Sequence, residues 1–401
     1  MITELRIENF KSFGAGTRAL HLKPLNFIVG ANASGKTNLV SALRFLRLAV
    51  MHNVEYAVME FGGPGEVRNK IQRERSEKKP VRIRVKIEGK DQWGMAGAGF
   101  HWDIRSMDYT VEIDVRSEGS VAEVMSEKLE VVQVNKEGEQ KLFKLKRSKT
   151  KIEIRDEANP ALERVAPNLP IEPTRLLAGA PFFAVQLMFL RNYIEGWSFY
   201  NTQPDVARRS YKDTPDQSLG EYGEQLANVL YRIEKQNGAG ALKEIIDGLR
   251  GAVPGFKSVH SVARGVERSY EVQEDRIKGA LSPSSISDGT VRLLALLVAV
   301  YGNNPRITML LIEEPETGLH PHLSGHIMQL LRTASENRQV IVTTHNPAFL
   351  DELEPDEVIL CDKPEGYTEV RTAADVEDIN TFRKTFRLGE LWNQGALGGT
   401  L

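Results

Sequence analysis

Gly30-Ala31-Asn32-Ala33-Ser34-Gly35-Lys36-Thr37 stands between an apolar run, Leu25-Asn26-Phe27-Ile28-Val29, and a segment in which Leu39, Val40, Leu43, Leu46 and Val50 recur at helical spacing. The octapeptide has the form G-x-x-x-x-G-K-[ST], and its flanks supply the strand before and the helix after that such a loop needs. Glycines let the backbone close around phosphate oxygens, while consecutive N–H groups and the helix N-terminus face the anion. Gly30, Asn32, Ser34 and Gly35 are the expected cradle, with Asn38 beside it in the first helical turn. Lys36 is placed to reach the β- and γ-phosphates and the Thr37 hydroxyl to ligate Mg²⁺. The pattern therefore predicts an α/β chain that binds ATP or GTP.

Composition narrows the setting. At 401 residues the chain can bury a sizeable core, and at about 150 residues per domain it has room for two or three units. One cysteine, Cys361, excludes an intrachain disulfide framework and points to the cytoplasm. The longest apolar stretch, Leu293 to Tyr301, is too short to cross a bilayer, and the first residues, with Glu4 and Glu8, lack an apolar signal segment, so no membrane is expected as a partner. Net charge is −2, which gives no global pull toward nucleic acid. Two local runs are basic: Arg68, Lys70, Arg73, Arg75, Lys78, Lys79, Arg82, Arg84 and Lys86, then Lys141, Lys144, Lys146, Arg147, Lys149 and Lys151. Both solvated strand faces and a non-specific contact with the DNA backbone fit them.

Outward from the loop, Ile2 to Ile7 alternates as a strand and Asn9 to Phe13 turns. From Val81 to Ile154 alternating segments, such as Tyr109 to Val115 and Leu129 to Val134, predict antiparallel sheet. Prolines 160, 167, 170 and 173 mark an irregular connection, and Leu226, Val229, Leu230 and Ile233, then Leu242, Ile245, Ile246 and Leu249, give two helical faces. The expected division is a split ATPase domain, residues 1–80 and 255–401, an antiparallel β-rich segment, 81–155, and an irregular connection with a helical insertion, 156–254. The insertion shows no heptads that would build a coiled-coil arm.

The second half of the nucleotide site lies far along the chain. An apolar run, Thr308 to Ile312, ends directly in Glu313-Glu314-Pro315-Glu316. An acid at such a strand end can help hold Mg²⁺, the role expected of Glu313, and the next can orient or deprotonate the attacking water, the role expected of Glu314. A further strand, Gln339 to Thr344, delivers His345, which can donate a hydrogen bond to the γ-phosphate or the water.

The loop Gly30 to Thr37, the string Leu310-Leu311-Ile312-Glu313-Glu314-Pro315-Glu316-Thr317-Gly318-Leu319-His320-Pro321 and Val342-Thr343-Thr344-His345 together resemble the ATP-binding-cassette ATPases of the RecF, SMC and OLD (overcoming lysogenization defect) group, and especially its stand-alone OLD-related bacterial members. The resemblance implies an ABC-type P-loop NTPase fold with a mixed sheet, a β-rich lobe and a helical insertion. It implies Mg²⁺-dependent ATP hydrolysis, with Lys36, Glu314 and His345 as the catalytic set. Ile7 to Phe13 is similar to the group's first strand and turn, which places Lys11 and Ser12 near the nucleotide. Ile286-Ser287-Asp288-Gly289-Thr290 is similar to the signature sequence, in which Ser287 and Gly289 would contact the γ-phosphate held by a second copy of the chain, so an ATP-dependent homodimer or larger assembly is implied. Glu313, Asp288 and Thr290 depart from the transport cassettes and fit the OLD-like branch. Gln72 is the candidate for the glutamine loop.

OLD nucleases carry a Toprim domain after the cassette. Residues 346–401 are too few for one, so a nuclease effector is expected to be a separate protein. In this tail Ile379, Phe382, Phe386 and Trp392 form an apolar stripe that suits either packing on the cassette or docking of a partner. The expected function is an ATP-dependent switch in antiphage defence or DNA maintenance. A cassette subunit powering a transporter and a non-hydrolysing ATP-binding scaffold are the alternatives.

Overall fold

The computed structural model describes residues 1–69, 79–94, 102–116, 121–135, 137–149, 151–165, 171–180, 184–212, 218–235, 239–302 and 304–398. The first strands are β1 (Ile2–Glu8), β2 (Leu20–His21), β3 (Leu25–Val29), β4 (Val81–Gly94), β5 (Trp102–Val115), β6 (Ala122–Asn135), β7 (Gln140–Ser148) and β8 (Lys151–Asp156). They are followed by β9 (Trp197–Tyr200), β10 (Tyr211–Lys212), β11 (Phe256–Arg264), β12 (Glu267–Glu274), β13 (Met309–Glu313), β14 (Gln339–Thr343), β15 (Val358–Asp362) and β16 (Glu369–Thr372). The chain forms two compact units: Met1–Trp197 with Glu354–Thr385 and Leu391–Leu401, and Ser198–Leu353 with Phe386–Glu390.

In the first unit a seven-stranded antiparallel sheet runs β2-β1-β4-β5-β6-β7-β8. Its register follows the period-two patterning. Ile7 lies opposite Ile83 and Ile83 opposite Val111, while Leu5, Val85, Tyr109, Leu129 and Leu145 form a continuous apolar row across five strands. A slip of one residue would turn this row to water, which is why the pattern fixes the pairing. The strands of the β-rich segment thus extend the sheet begun by the N-terminal strand β1. Among the apolar side chains of that face Glu127 is fully buried, accepting hydrogen bonds from the N–H groups of Leu177 (2.7 Å) and Ala178 (3.0 Å) and from the Tyr109 hydroxyl (2.8 Å).

The same unit holds the loop-bearing strand. β3 is buried along its whole length and pairs parallel with β15, whose other edge pairs antiparallel with β16. A near-continuous apolar run, Leu-Asn-Phe-Ile-Val, suits a strand covered on both faces. The helix Lys36–Met51 that follows buries Leu39, Val40, Leu43, Leu46 and Val50, the positions its spacing marks.

In the second unit β13 and β14 pair in parallel, bringing Glu313 opposite Thr343. A smaller antiparallel sheet runs β10-β12-β11, and the helices Leu226–Lys235 and Ala239–Ala252 pack beside it. The helix Asp288–Tyr301 is apolar nearly all round and buries every residue from Leu293 to Val300, as a helix without a polar face must. Among the described residues no helix is long and apolar enough to cross a membrane.

The tail departs from a single stripe. It folds as two short helices, Ile379–Phe382 and Leu388–Asn393. Ile379 and Trp392 are buried, whereas Phe382 and Phe386 are each 39% exposed, so the four side chains do not share one face.

Candidate functional site

In the first unit Gly30 to Thr37 leaves β3 and enters the helix Lys36–Met51 at an N-cap, Gly35, that carries no side-chain hydrogen bond, and the first turn holds no acid. The positive end of this sixteen-residue helix is therefore left to an anion. Two glycines are required by space. A Cβ on Gly30 would lie 2.3 Å from the Cys361 carbonyl oxygen, and one on Gly35, whose φ is +113°, would lie 2.0 Å from Thr368 Oγ1. Ala33 also takes a positive φ of 63°, so the loop turns its backbone sharply enough to form a nest of N–H groups. The Ser34 hydroxyl is buried with no hydrogen-bond partner among the described residues. The buried Lys36 ammonium lies inside the loop, donating to the carbonyls of Gly30 (2.6 Å) and Ala31 (3.0 Å). Asn32 and Thr37 are exposed on the loop. These features fit a polyphosphate with its Mg²⁺: an uncapped helix end, a contained cation, and a hydroxyl open to solvent.

Lys11 and Ser12 reach the same helix. The turn Asn9 to Phe13 places Asn9 and Lys11 at positive φ, 58° and 47°. Lys11 Nζ lies 3.3 Å from Ser41 Oγ and 4.9 Å from the centre of the Phe61 ring. Ser12 is buried and accepts from Asn38 Nδ2 at 2.6 Å. Beneath the loop, burial pushes the Cys361 thiol up to about 12, with the nearby Lys36 charge opposing the shift. A thiol so protonated and enclosed is inert. Cys361 is expected to resist Ellman's reagent in the native protein and to react once the first unit unfolds; labelling at the unfolded rate without denaturant would contradict its burial.

In the second unit Glu313 closes β13 and Glu314 turns out of it at a strained φ of 45°. The Glu314 N–H donates to the Thr343 carbonyl (2.9 Å), its Oε2 accepts from the Thr317 hydroxyl (3.2 Å), and its Oε1 lies 3.4 Å from His345 Nε2. Both side chains remain accessible, 48% for Glu314 and 40% for His345, which leaves them open to a substrate water. A cavity of about 410 Å³ beside them is lined by Glu316, His320, Ser324 and Asn346 as well. Glu316 fixes this corner, its Oε1 accepting from the Thr344 hydroxyl (2.5 Å) and the His345 N–H (3.2 Å).

The segment Ile286 to Thr290 caps the helix Asp288–Tyr301. Ser287 Oγ accepts from the Thr290 N–H at 3.1 Å. A Cβ on Gly289 would lie 2.7 Å from the Gly318 carbonyl, so the start of this helix and the turn after Glu316 pack backbone to backbone. Arg208 holds the segment by donating to the carbonyls of Pro283 (3.0 Å) and Ile286 (2.8 Å) and pairing with Asp288 (2.5 Å).

Sequence reasoning missed Arg208, Glu316 as a positioning group, and Thr368. Arg208 and Thr368 carry no local motif, because each acts on a loop distant in sequence. Gln72 lies outside the described residues, as do Lys70, Arg73, Arg75 and Lys78. Along the basic runs, Arg82 pairs with Glu112 (2.9 Å) and Glu8 (3.0 Å), Arg84 with Asp108 (2.8 Å) and Glu4 (2.7 Å), Lys86 with Glu88 and Lys144 with Glu130. Arg147 is buried. Carboxylates on the same or neighbouring strands thus neutralise part of the positive charge that a phosphate backbone would meet.

The fold and the loop define an ABC-type P-loop NTPase. A family model described as "AAA domain, putative AbiEii toxin, Type IV TA system" matches residues 107–351, and the chain belongs to that family. A second model, "AAA ATPase domain", matches residues 1–164. No curated protein matches the chain. Among solved structures, an Smc head bound to the C-winged helix domain of ScpA is 14% identical, covering 92% of this chain and 97% of that one with a TM-score of 0.51, a likeness of fold. An Smc head with an extended coiled coil, bound to the C-terminal domain of ScpA derived from Pyrococcus furiosus, gives 13% identity, coverage of 95% and 99%, and a TM-score of 0.48. The SMC head domain from Thermotoga maritima gives 13%, 92% and 98%, and 0.41.

Proposed function

We propose that this AAA-family ATPase binds ATP with Mg²⁺ through Gly30 to Thr37, hydrolyses it with Glu313, Glu314 and His345, and works as an ATP-dependent dimerising switch. The observation that carries the reading is the uncapped helix N-terminus behind a loop that contains the Lys36 ammonium. Bound Mg·ATP would supply the electrophilic γ-phosphoryl group and the metal that neutralises its charge. Lys36 would exchange the loop carbonyls for phosphate oxygens. Thr37 and Glu313 would hold the ion, Glu314 would accept the water proton, and His345 would hydrogen-bond the water or the γ-phosphate. Ser287 and Gly289 would meet the nucleotide of a second copy, so ATP would favour closure and hydrolysis would favour separation.

A separate effector, Toprim-like or otherwise, is the proposed partner in an OLD-related defence system of the cytoplasm. The naming of a type IV toxin–antitoxin toxin in the family description supports the defence setting, and the ScpA-bound Smc head of similar fold supports a protein partner.

Lys36→Ala tests the binding step. Loss of a charge-assisted contact to phosphate should weaken ATP binding by about 30-fold or more in a calorimetric titration. Unchanged affinity would overturn the role of the loop.

A further inference from the structure

The β15–β16 connection passes beneath the nucleotide loop. It ends in Thr368, which is fully buried. The Thr368 N–H donates to the Ser12 carbonyl (2.8 Å) and its hydroxyl donates to the Ser34 carbonyl (2.8 Å), with Ser12 Oγ 2.6 Å away. Ser12 Oγ in turn accepts from Asn38 Nδ2 at 2.6 Å, on the first turn of the helix that follows the loop. Tyr367, next in the chain, covers Gly14, where an added Cβ would lie 2.8 Å from its ring. One threonine therefore ties three segments far apart in sequence: the turn at Ser12, the loop at Ser34 and the strand β16.

The bond to Ser34 has a direct stereochemical effect. A trans peptide sets its C=O and the following N–H in opposite directions. Drawing the Ser34 carbonyl onto Thr368 thus turns the Gly35 N–H away from Thr368. Gly35, at a φ of +113° that only glycine adopts freely, lies against Thr368 with no space for a side chain. The contact of Thr368 is with the frame of the loop, where its hydroxyl holds the Ser34 carbonyl.

We propose that Thr368 is a positioning residue for nucleotide binding: it pins the Ser34–Gly35 peptide with its amide outward, so that the loop meets phosphate without reorganising. This role rests on the proposed ATP binding by Gly30 to Thr37. Preorganised donors favour binding because no ordering cost is incurred when the ligand arrives, so the effect belongs in affinity and not in the chemical step.

The test compares Thr368→Val, which keeps the shape and removes the hydroxyl, with Thr368→Ser, which keeps the hydroxyl. Titration of the full chain with a fluorescent ATP analogue and Mg²⁺ should show Kd raised about tenfold in Thr368→Val, the worth of one lost hydrogen bond. KM for ATP should rise in parallel, kcat should stay within about twofold, and Thr368→Ser should remain within about threefold of the wild type in Kd. Equal affinity in Thr368→Val and wild type would overturn the proposal. So would a loss in Thr368→Ser as large as in Thr368→Val, because the methyl packing would then account for it. If Thr368→Val does not fold, Thr368→Ala carries the same comparison, since it adds no bulk at Gly35. A wild-type chain that binds no ATP would instead overturn the proposed function.

Discussion

Glu314→Gln is expected to lower steady-state ATP turnover by about 100-fold or more while ATP stays bound, because a positioned general base contributes roughly that factor. The substitution keeps the size of the side chain and removes its capacity to take a proton. Its surroundings should survive. The Glu314 N–H to the Thr343 carbonyl is a backbone bond, and an amide can still pair with the Thr317 hydroxyl and with His345. The side chain is about half exposed, so loss of its charge leaves no buried group unpaired. Retained binding with lost turnover should also accumulate the ATP-bound assembly. Sedimentation with Mg·ATP should show a dimer in Glu314→Gln that dissociates when nucleotide is removed. Wild-type turnover in this variant would move the base elsewhere, and a monomer at saturating ATP would remove the dimerising switch.

Glu127→Ala is expected to cost about 3–5 kcal/mol of stability, the usual penalty for stripping one partner from a buried charged network. Glu127 is fully buried, and its two oxygens accept from two backbone N–H groups and a tyrosine hydroxyl. Arg147, also fully buried, lies 3.9 Å away and donates to the carbonyls of Glu172 (2.7 Å) and Arg175. Alanine would leave the Leu177 and Ala178 N–H groups and the Tyr109 hydroxyl without their acceptor, and the buried Arg147 cation without its counter-charge. Urea denaturation would read the loss, with Cys361 labelling as a second probe of the same unit. Glu130→Ala is the control: its pairing with Lys144 is at the surface, with side chains 56% and 47% exposed, and should cost under about 1 kcal/mol. A Glu127→Ala loss no larger than the control's would show that the network is dispensable.

The same carboxyl gives the unit a pH signature. Burial raises the Glu127 carboxyl above its ordinary 4.5, against the pull of the N–H groups and Arg147. The folded state therefore holds the proton more tightly than the unfolded chain. Its contribution is greatest below pH 4.5 and declines as pH climbs through the raised folded value. Glu127→Gln should lack that decline.

Much of the candidate site was legible in the chain because its signals are local. Gly30 and Gly35 read as cradle residues from spacing alone, and the structure shows the steric reason in Cys361 and Thr368. Glu314 and His345 were legible as strand-end residues, and β13 and β14 put them there by pairing in parallel. Partners that cross the chain were not legible. Nothing near Asp288 announces Arg208, and nothing near Glu127 announces Arg147. The basic run at Arg82 to Lys86 read first as a solvated face and second as a phosphate-binding one; the register of β1, β4 and β5 sets Glu8 and Glu112 opposite Arg82 and brings Glu4 and Asp108, opposite Lys86, within diagonal reach of Arg84. The tail stripe broke up because Ile379 and Phe382 sit on one short helix, Trp392 on another and Phe386 between the two, so no single helical period runs through them.

What the sequence by itself determined is the phosphate loop, the acid pair and the class of fold, since each depends on residue types at fixed short spacing, where backbone geometry leaves few options. Only the tertiary structure decided which groups support them. Thr368 under Ser34, Arg208 on the segment Ile286 to Thr290 and Glu316 behind His345 depend on long-range register, and register is set by the packing of whole strands, which no local pattern contains. Gly30 to Thr37 carries a phosphate-loop pattern in eight consecutive residues, and a buried threonine more than three hundred residues later holds that loop's Ser34 carbonyl.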